Sequence, residues 1–532
     1  MGLRVYSTLS RRVEEFTTVE PGRIRMYVCG PNLYGPSHVG HAMSYIVFDM
    51  IHRYLEYRGY RVTRVQNFTD VEDRIIETAR AEGTTIEVLA GRYIDRFMEE
   101  MDALGIWRAQ HYPRATQAIP KMIEIIETLI RKGAAYAVDG DVYFRVTSFE
   151  RYGRLSGRSL DEMQAGARVE PDPRKEHPMD FALWKAAKSG EPAWDSPWGP
   201  GRPGWHIECT AMSIQLLGDQ LDIHGGGQDV VFPHHENEIA QSESYTGKAP
   251  FARYWMHNGL LRPSDDQEKM TRHLGNIVSI QDALARFSPD ALRLFVLSSH
   301  YRNPLTWSEE SVAASERGLE RLIVAVENVE ILARQHPDAA AGGGHAPPGS
   351  PAVALQGRRR MEELNEHAAR SRQAFVEAMD NDFDTPRAIA ILFDLGTEIN
   401  RLSDAVAKGT AADPGATTAA LVEAAAVLQE LAGVLGIRLQ RRLAREDLHG
   451  RLQDLARELA AAHPAFFAGL PVSAAGSSDG PEAALIEHIL AGRQRARQAR
   501  DWKTADLVRD RLAALGVSVE DFPTGPRWRL RG

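Results

Sequence analysis

The chain has only two cysteines among its 532 residues, and both stand near residues that bind metals or phosphates. Cys29 precedes His38-Val39-Gly40-His41, and Cys209 precedes His234-His235-Glu236-Asn237-Glu238. Two thiols, one imidazole and one carboxylate make a zinc donor set, because zinc takes four ligands of these types and thiolate softness favours it over Mg or Ca. His234 and Glu238 are spaced i,i+4, which on a helix puts both on one face. The candidate ligands are therefore Cys29, Cys209, His234 and Glu238, with His235 and Glu236 as polar support around them. The alternative for Cys29 is a small buried hydrophobe, the commoner fate of an unpaired cysteine. Spacing alone does not choose between the two.

The His-x-Gly-His element suits different chemistry. Imidazoles donate to phosphoryl oxygens, Gly40 allows close approach of a ligand to the backbone, and a helix N-terminus adds its dipole and amides. Such groups stabilise charge on a phosphoryl group under attack. Lys269-Met270-Thr271-Arg272-His273 offers two cations for leaving phosphates, although alone it reads as an ordinary polar loop. Gly225-Gly226-Gly227-Gln228-Asp229 could cradle a nucleoside and bond its ribose through the acid, with a plain tight turn as the simpler reading. Nucleotide and thiolate-rich motifs in one chain point to an enzyme that activates something with ATP and recognises it with a metal.

These side chains need elements to hold them. Residues 24–29 alternate as a strand, 30–37 form a Gly/Pro loop, 42–57 carry a helical apolar face and 61–67 read as the next strand. That order is a βαβ unit, so an α/β fold with a Rossmann-like, doubly wound parallel sheet is expected. Residues about 110–200 read as an inserted α/β segment, and the strand-to-helix pattern resumes at 221–248. Beyond a Gly/Pro linker at about 336–351 the chain is helical, with Thr385-Pro386 as an N-cap and first helical residue. A second linker at about 470–481 precedes a small C-terminal domain.

The length implies three or four domains. Apolar residues at 43% supply an ample core. No segment approaches the run of about 18 apolar residues that spans a bilayer, and no export signal is visible at the N-terminus. Two cysteines make no disulfide framework, so a cytoplasmic location without membrane attachment is expected. The net charge of -9 argues against a generic nucleic-acid coat but leaves room for local patches. One such patch is residues 486–532, with ten Arg/Lys against six Asp/Glu. Such runs are more often solvated helix faces.

Taken together these strings resemble the cysteinyl-tRNA synthetase family of class I aminoacyl-tRNA synthetases. The resemblance rests on Tyr27-Val-Cys-Gly-Pro31 leading into His38-Val-Gly-His41, Asn67-Phe-Thr-Asp-Val-Glu-Asp73, Pro203-Gly-Trp-His-Ile-Glu-Cys209 and Gly225 through Glu238. Asp290-Ala-Leu-Arg293 and Ser299-His-Tyr-Arg302 fit a stem-contact region, and Met379 to Pro386 resembles the start of a helical tRNA-binding domain. The resemblance implies a catalytic domain at 1–253, a stem-contact region at 254–320, a helical domain at 321–469 and an anticodon module at 482–532. It implies ATP-dependent ligation of L-cysteine to tRNA(Cys) through a cysteinyl-adenylate, with Mg²⁺ accompanying ATP and one Zn²⁺ per chain that recognises the substrate thiol. His38, His41, Lys269 and Arg272 would be catalytic. Gly40, Gly227 and Asp229 would join them in binding ATP. Gly30, Asn32, Thr69 and Trp205 would bind the amino acid, with Trp205 closing over its side chain. Nothing demands a dimer, so a monomer is expected.

The chain departs from the family pattern in three places. Lys269-Met-Thr-Arg-His273 replaces Lys-Met-Ser-Lys-Ser, Asn32 stands for Thr and Met43 for Arg. Arg272 keeps the charge with a different geometry. A related ligase that joins cysteine to an amino sugar would share the front half but need no tRNA domain. The helical and basic residues after position 302 favour tRNA. A non-catalytic tRNA- or nucleotide-binding relative is the reading of another class, supported by the altered Lys269–His273 loop.

Overall fold

Four parallel strands carry the site. In spatial order they are Ala252–Asn258, Leu221–Gly227, Arg23–Val28 and Arg61–Gln66. Their buried stretches are largely apolar, as a sheet covered on both faces requires: Met26, Tyr27, Val28, Val65 and Ile223 are inaccessible to solvent. The helix Val39–Tyr57 crosses between the strands Arg23–Val28 and Arg61–Gln66, completing the expected βαβ unit. Strand order reverses between Arg23–Val28 and Leu221–Gly227, and open α/β sheets bind ligands at the carboxyl ends of such a reversal. Cys29 lies there, its amide donating to the Gly225 carbonyl at 3.0 Å.

The computed structural model describes residues 2–160, 162, 172–263, 278–337, 351–440, 445–467, 481–515, 517–522 and 525–530. Lys269 and Arg272, and most of both linkers, lie outside these. The stretch read as an insertion contains an antiparallel sheet of Ala135–Val138, Asp141–Phe144, Phe181–Ala186 and Gly201–Pro203.

The chain gathers into two compact units, and their limits differ from the sequence boundaries. Met1–Leu319, Gln373–Ile391 and Leu431–Ile437 form the first; Glu320–Arg372, Leu392–Glu430 and Arg438–Gly532 form the second. Residues 373–391 were expected in the helical tRNA-binding domain. They belong with the sheet because Asp380 accepts from the Tyr54 hydroxyl at 2.7 Å, and Asp382 accepts from the Tyr6 amide at 2.8 Å and the Tyr301 hydroxyl at 2.9 Å.

Asp290-Ala-Leu-Arg293 turns its arginine into the interior. Arg293 is inaccessible to solvent and pairs with Asp49 at 2.7 Å, which also takes Arg53 at 2.8 Å. The same nitrogen of Arg293 also reaches the Leu435 carbonyl at 3.4 Å, and Nη2 reaches the carbonyls of Leu104 and Gly105 at 3.3 Å. A guanidinium enclosed this way staples the helix Val39–Tyr57 to Leu431–Ile437 and cannot reach RNA.

The cap of helix Thr385–Ala407 falls one residue earlier than expected. Asp384 accepts from the Arg387 amide at 3.2 Å, which leaves Thr385 and Pro386 inside the first turn. Helix Pro414–Val434 is long and apolar enough to cross a membrane by length and composition, and 61% of its most apolar window is buried inside the protein. The C-terminal helices Arg445–Ala462, Pro481–Gln498 and Trp502–Ala514 and the hairpin Val517–Leu530 share a core around Leu452, Ile489, Val508 and Val517. Part of the basic tail is consumed inside it: Arg493 is buried on Asp521 at 2.7 Å, and Arg495 bonds the Phe466 carbonyl.

Candidate thiol and nucleotide site

Residues from distant parts of the chain converge beside Cys29. The donor atoms of Cys29, Cys209, His234 and Glu238 all lie within 4.8 Å of one another. The sulfurs are 3.9 Å apart, Cys29 is 3.8 Å from Glu238 Oε1, and His234 Nε2 is 3.0 Å from the same oxygen. Cys209 arrives on the helix Trp205–Leu217, and Glu238 on Glu236–Thr246. His234 lies just before that helix; the kink falls two residues earlier, at Phe232 (φ -138°, ψ 132°), and His235 and Glu236 have helical backbone, so His234 and Glu238 stand i,i+4 on one face.

Burial and mutual charge set the protonation of this cluster. Burial pushes the Cys209 thiol up, but a hydrogen bond from Cys29 and the neighbouring His234 bring it down to about 6. His234 is pulled down by burial and raised to about 10 by Glu238 and Cys209. Against its own burial, Glu238 is held at about 2 by His224 and His234. Burial and the adjacent Cys209 keep the Cys29 thiol well above its ordinary range. The protein thus prepares one thiolate, one carboxylate and one imidazolium, whose proton a divalent cation would displace.

Apart from His235, read from the sequence as polar support, the shell that holds these groups was missed by sequence reasoning. Cys29 Sγ meets His235 Nε2 at 3.1 Å, His235 Nδ1 meets His257 Nε2 at 2.7 Å, and His257 Nδ1 meets Thr8 Oγ1 at 2.8 Å. Burial keeps His235 and His257 neutral, His257 at about 3. With neutral rings the chain is satisfied in either sense, from the Thr8 hydroxyl through His257 and His235 to the Cys29 sulfur, or from the Cys29 S–H through both rings to Thr8. His224 Nε2 holds the second Glu238 oxygen at 2.8 Å, and His206 Nδ1 meets His234 Nδ1 at 3.0 Å. His206 stood inside the quoted Pro203–Cys209 string, but His224, His257 and Thr8 carried no local signal. Glu236 proved to be structural support: its carboxylate accepts from the Gly153 amide at 2.9 Å and the Ser156 amide at 2.7 Å. His224 and His235 make a second possible quartet with Cys29 and Glu238.

The glycines explain how tightly the backbone is packed here. A Cβ on Gly30 would overlap the Asn67 carbonyl, and one on Gly225 would overlap the Phe48 ring. Gly225–Gly227 therefore end the strand and do not form the turn read from sequence. The Gly30 amide donates to Asn67 Oδ1 at 2.8 Å, and Asn32 bridges to Thr69. Thr69 is buried and gives its hydroxyl to Glu208 at 3.1 Å, a fully buried partner that the sequence reading passed over. The Trp205 ring lies 4.3 Å from that of His234. Met43 is a core residue of its helix.

His38 and His41 open the helix Val39–Tyr57 with a capping box. His38 Nδ1 accepts from the Gly40 amide at 3.1 Å, His41 Nδ1 from the His38 amide at 3.4 Å, and the rings stack at 3.9 Å. The chain re-enters the described residues at Val278, whose carbonyl accepts from the Val39 amide at 3.1 Å. Asp229 is exposed on the turn Gln228–Val230, outside the thiol cluster.

Comparison with known proteins agrees along the whole chain. Residues 15–317 match the model of the tRNA synthetases class I (C) catalytic domain, 374–440 the DALR domain, and 481–529 the cysteinyl-tRNA ligase anticodon binding domain. The chain is 45% identical over 529 residues to a cysteine–tRNA ligase of Dehalococcoides mccartyi, covering 99% of this chain and 100% of the relative. It is 47% identical over 527 residues to that of Moorella thermoacetica, covering 99% of each. In fold it is similar to Mycobacterium tuberculosis methionyl-tRNA synthetase in complex with methionyl-adenylate (TM-score 0.60, 16% identity, 82% of this chain and 94% of the other). A putative arginyl-tRNA synthetase from Campylobacter jejuni is also similar (TM-score 0.57, 12% identity, 80% and 96%). Three models in series and full-length relatives nearly half identical leave one conclusion: the chain belongs to the cysteinyl-tRNA synthetase family, class I ligases that attach cysteine to tRNA with ATP.

Proposed function

We propose that this chain selects L-cysteine for tRNA(Cys) by its thiol, with one Zn²⁺ held by Cys29, Cys209, His234 and Glu238. The observation that carries this reading is the convergence of those four donors within 4.8 Å. A zinc ion held there supplies a soft Lewis acid that prefers a thiolate to a hydroxyl. That preference answers a hard selection problem, because a shaped pocket separates such near-isosteres by only about 1–3 kcal/mol. The quartet with both thiols is favoured over the one with His224 and His235. Those two imidazoles already bond Glu238, His257 and Cys29, which suits them to orienting ligands.

The chain's own residues do the remaining work by position and charge. Gly30, Asn32 and Thr69 line the backbone side of the amino-acid site, and Trp205, its ring 4.3 Å from that of His234, closes it. The cysteine carboxylate attacks the α-phosphorus of ATP, forming cysteinyl-adenylate and releasing pyrophosphate. The terminal ribose hydroxyl of the tRNA then takes the cysteinyl group and AMP leaves. No protein nucleophile is needed. His38 and His41, at the opening of the helix Val39–Tyr57, would meet the triphosphate above Gly40. Lys269 and Arg272 would take the β and γ phosphates with Mg²⁺, a role supported by the return of the chain beside His38 at Val278. Gly227 and Asp229 would hold the nucleoside. The chain is read as a cytoplasmic monomer with no membrane partner.

The test is metal content measured together with ATP–pyrophosphate exchange on cysteine and on serine. Near one zinc per chain, with exchange on cysteine alone, is expected. Metal-free protein that activates cysteine at full rate and still rejects serine would refute the reading.

A further inference from the structure

A second recess on the first compact unit shares no residue with the thiol cluster. Two adjoining cavities, of about 300 and 440 Å³, have Leu9, Ser10, Glu14 and Arg154 in common. Arg151 and Arg253 also line the first, and Arg11 and Arg12 the second. These five guanidiniums face two carboxylates, Glu14 and Glu243. Arg151 is paired with Glu243 at 2.7 Å, and Arg253 donates to the Thr17 hydroxyl at 2.8 Å. The side chains of Arg11 and Arg12 form no ion pair or hydrogen bond among the described residues.

The backbone goes out of its way to hold Arg11 there. Its φ is +58°, a left-handed conformation that non-glycine residues seldom adopt. Its guanidinium lies over Gly157, where any Cβ would overlap it. Two unusual backbone positions therefore aim a cation with no partner at a concave surface. The elements around the recess also build the thiol site. Thr8, next to Leu9, is the far end of the hydrogen-bonded chain that reaches Cys29. Glu236 fixes Gly153 and Ser156 beside Arg154, and Ile239 and Glu243 share a helix with Glu238.

We propose that this recess binds a compact polyphosphate, such as inorganic pyrophosphate or the phosphate chain of a nucleotide, separately from the site at His38 and His41. Guanidinium forks pair in bidentate fashion with phosphoryl oxygens, and the excess of cation exceeds what one carboxylate ligand would neutralise. The concave shape and the two carboxylates favour a discrete anion over a continuous nucleic-acid backbone.

The experiment is calorimetric titration of the full chain with tripolyphosphate. The expected result is two classes of site. Arg12→Gln/Arg154→Gln removes one class or weakens it by about ten-fold or more, and His41→Ala affects only the other. Gly157→Ala, which displaces Arg11, weakens the same class as the arginine pair. Thermal melting checks that each variant is folded. If the double variant does not fold, Arg12→Gln and Gly157→Ala carry the test singly. Unchanged stoichiometry and affinity in the arginine and glycine variants overturns the proposal. So does a loss of tRNA affinity with tripolyphosphate binding intact, because the arginines would then meet RNA.

Discussion

The thiol side and the phosphate side of the catalytic unit are built on opposite plans. On the thiol side each of the four candidate ligands is locked by another side chain, and the locks continue outward through His224, His235 and His257 to Thr8. On the phosphate side His38 and His41 are held through backbone amides at a helix end, and Asp229 stands exposed. Discriminating one atom in an amino acid needs a stiff, desolvated cage. Taking in ATP and releasing pyrophosphate on every turnover needs an open one. The difference lies in who fixes the side chain: neighbours from distant strands, or the residue's own helix.

The variants that break this contrast most are those at the cage. Cys209→Ser should lose zinc and cysteine activation together, a larger fall than the roughly 10–100-fold expected for outer partners, read by metal content and pyrophosphate exchange. His41→Ala should leave zinc in place and slow exchange by about 10²–10³, the scale of losing one preorganised donor. Loss of zinc in that variant would mean the two sides are one structure. Thr8→Val cuts the hydrogen-bonded chain at its far end. It should weaken zinc affinity or cysteine activation by about 10-fold, the low end for an outer partner, measured by chelator competition.

The smallest effect is one of pH, in metal-free protein. Folding lowers the Cys209 pKa from 9.0 to about 6, so its thiolate contributes stability in full above pH 9 and loses it as pH falls through 6. Folding raises His234 from 6.5 to about 10, so its contribution is complete below pH 6.5 and is lost as pH rises through 10. Melting temperature should therefore be flat between about pH 6.5 and 9 and fall on both sides. Cys209→Ser should abolish the acid-side fall that belongs to the thiolate. An unchanged profile would show that the thiolate–imidazolium pair does not form.

Much of the molecule was legible because its signals are local. The helix Thr385–Ala407 begins within one residue of the expected cap, and the βαβ unit around Cys29 follows from alternation, a loop and an apolar helical face. Misreadings arose where a residue's partner is remote. Nothing in the Asp290–Arg293 string shows that Arg293 is enclosed by Asp49, 244 residues away. Gly225–Gly227 read as a turn until Phe48 and His235 show why a strand there can have no side chains.

By itself the sequence determined which atoms were on offer: two sulfurs, a His–Glu pair at helical spacing, and a His-x-Gly-His at a strand-to-helix turn. Only the tertiary structure decided which of them meet, and that Thr8, His224 and His257 stand behind them. The reason is geometric. Parallel strands join through long crossovers, so neighbours at their carboxyl ends are set by sheet order, a property that no window of adjacent residues contains.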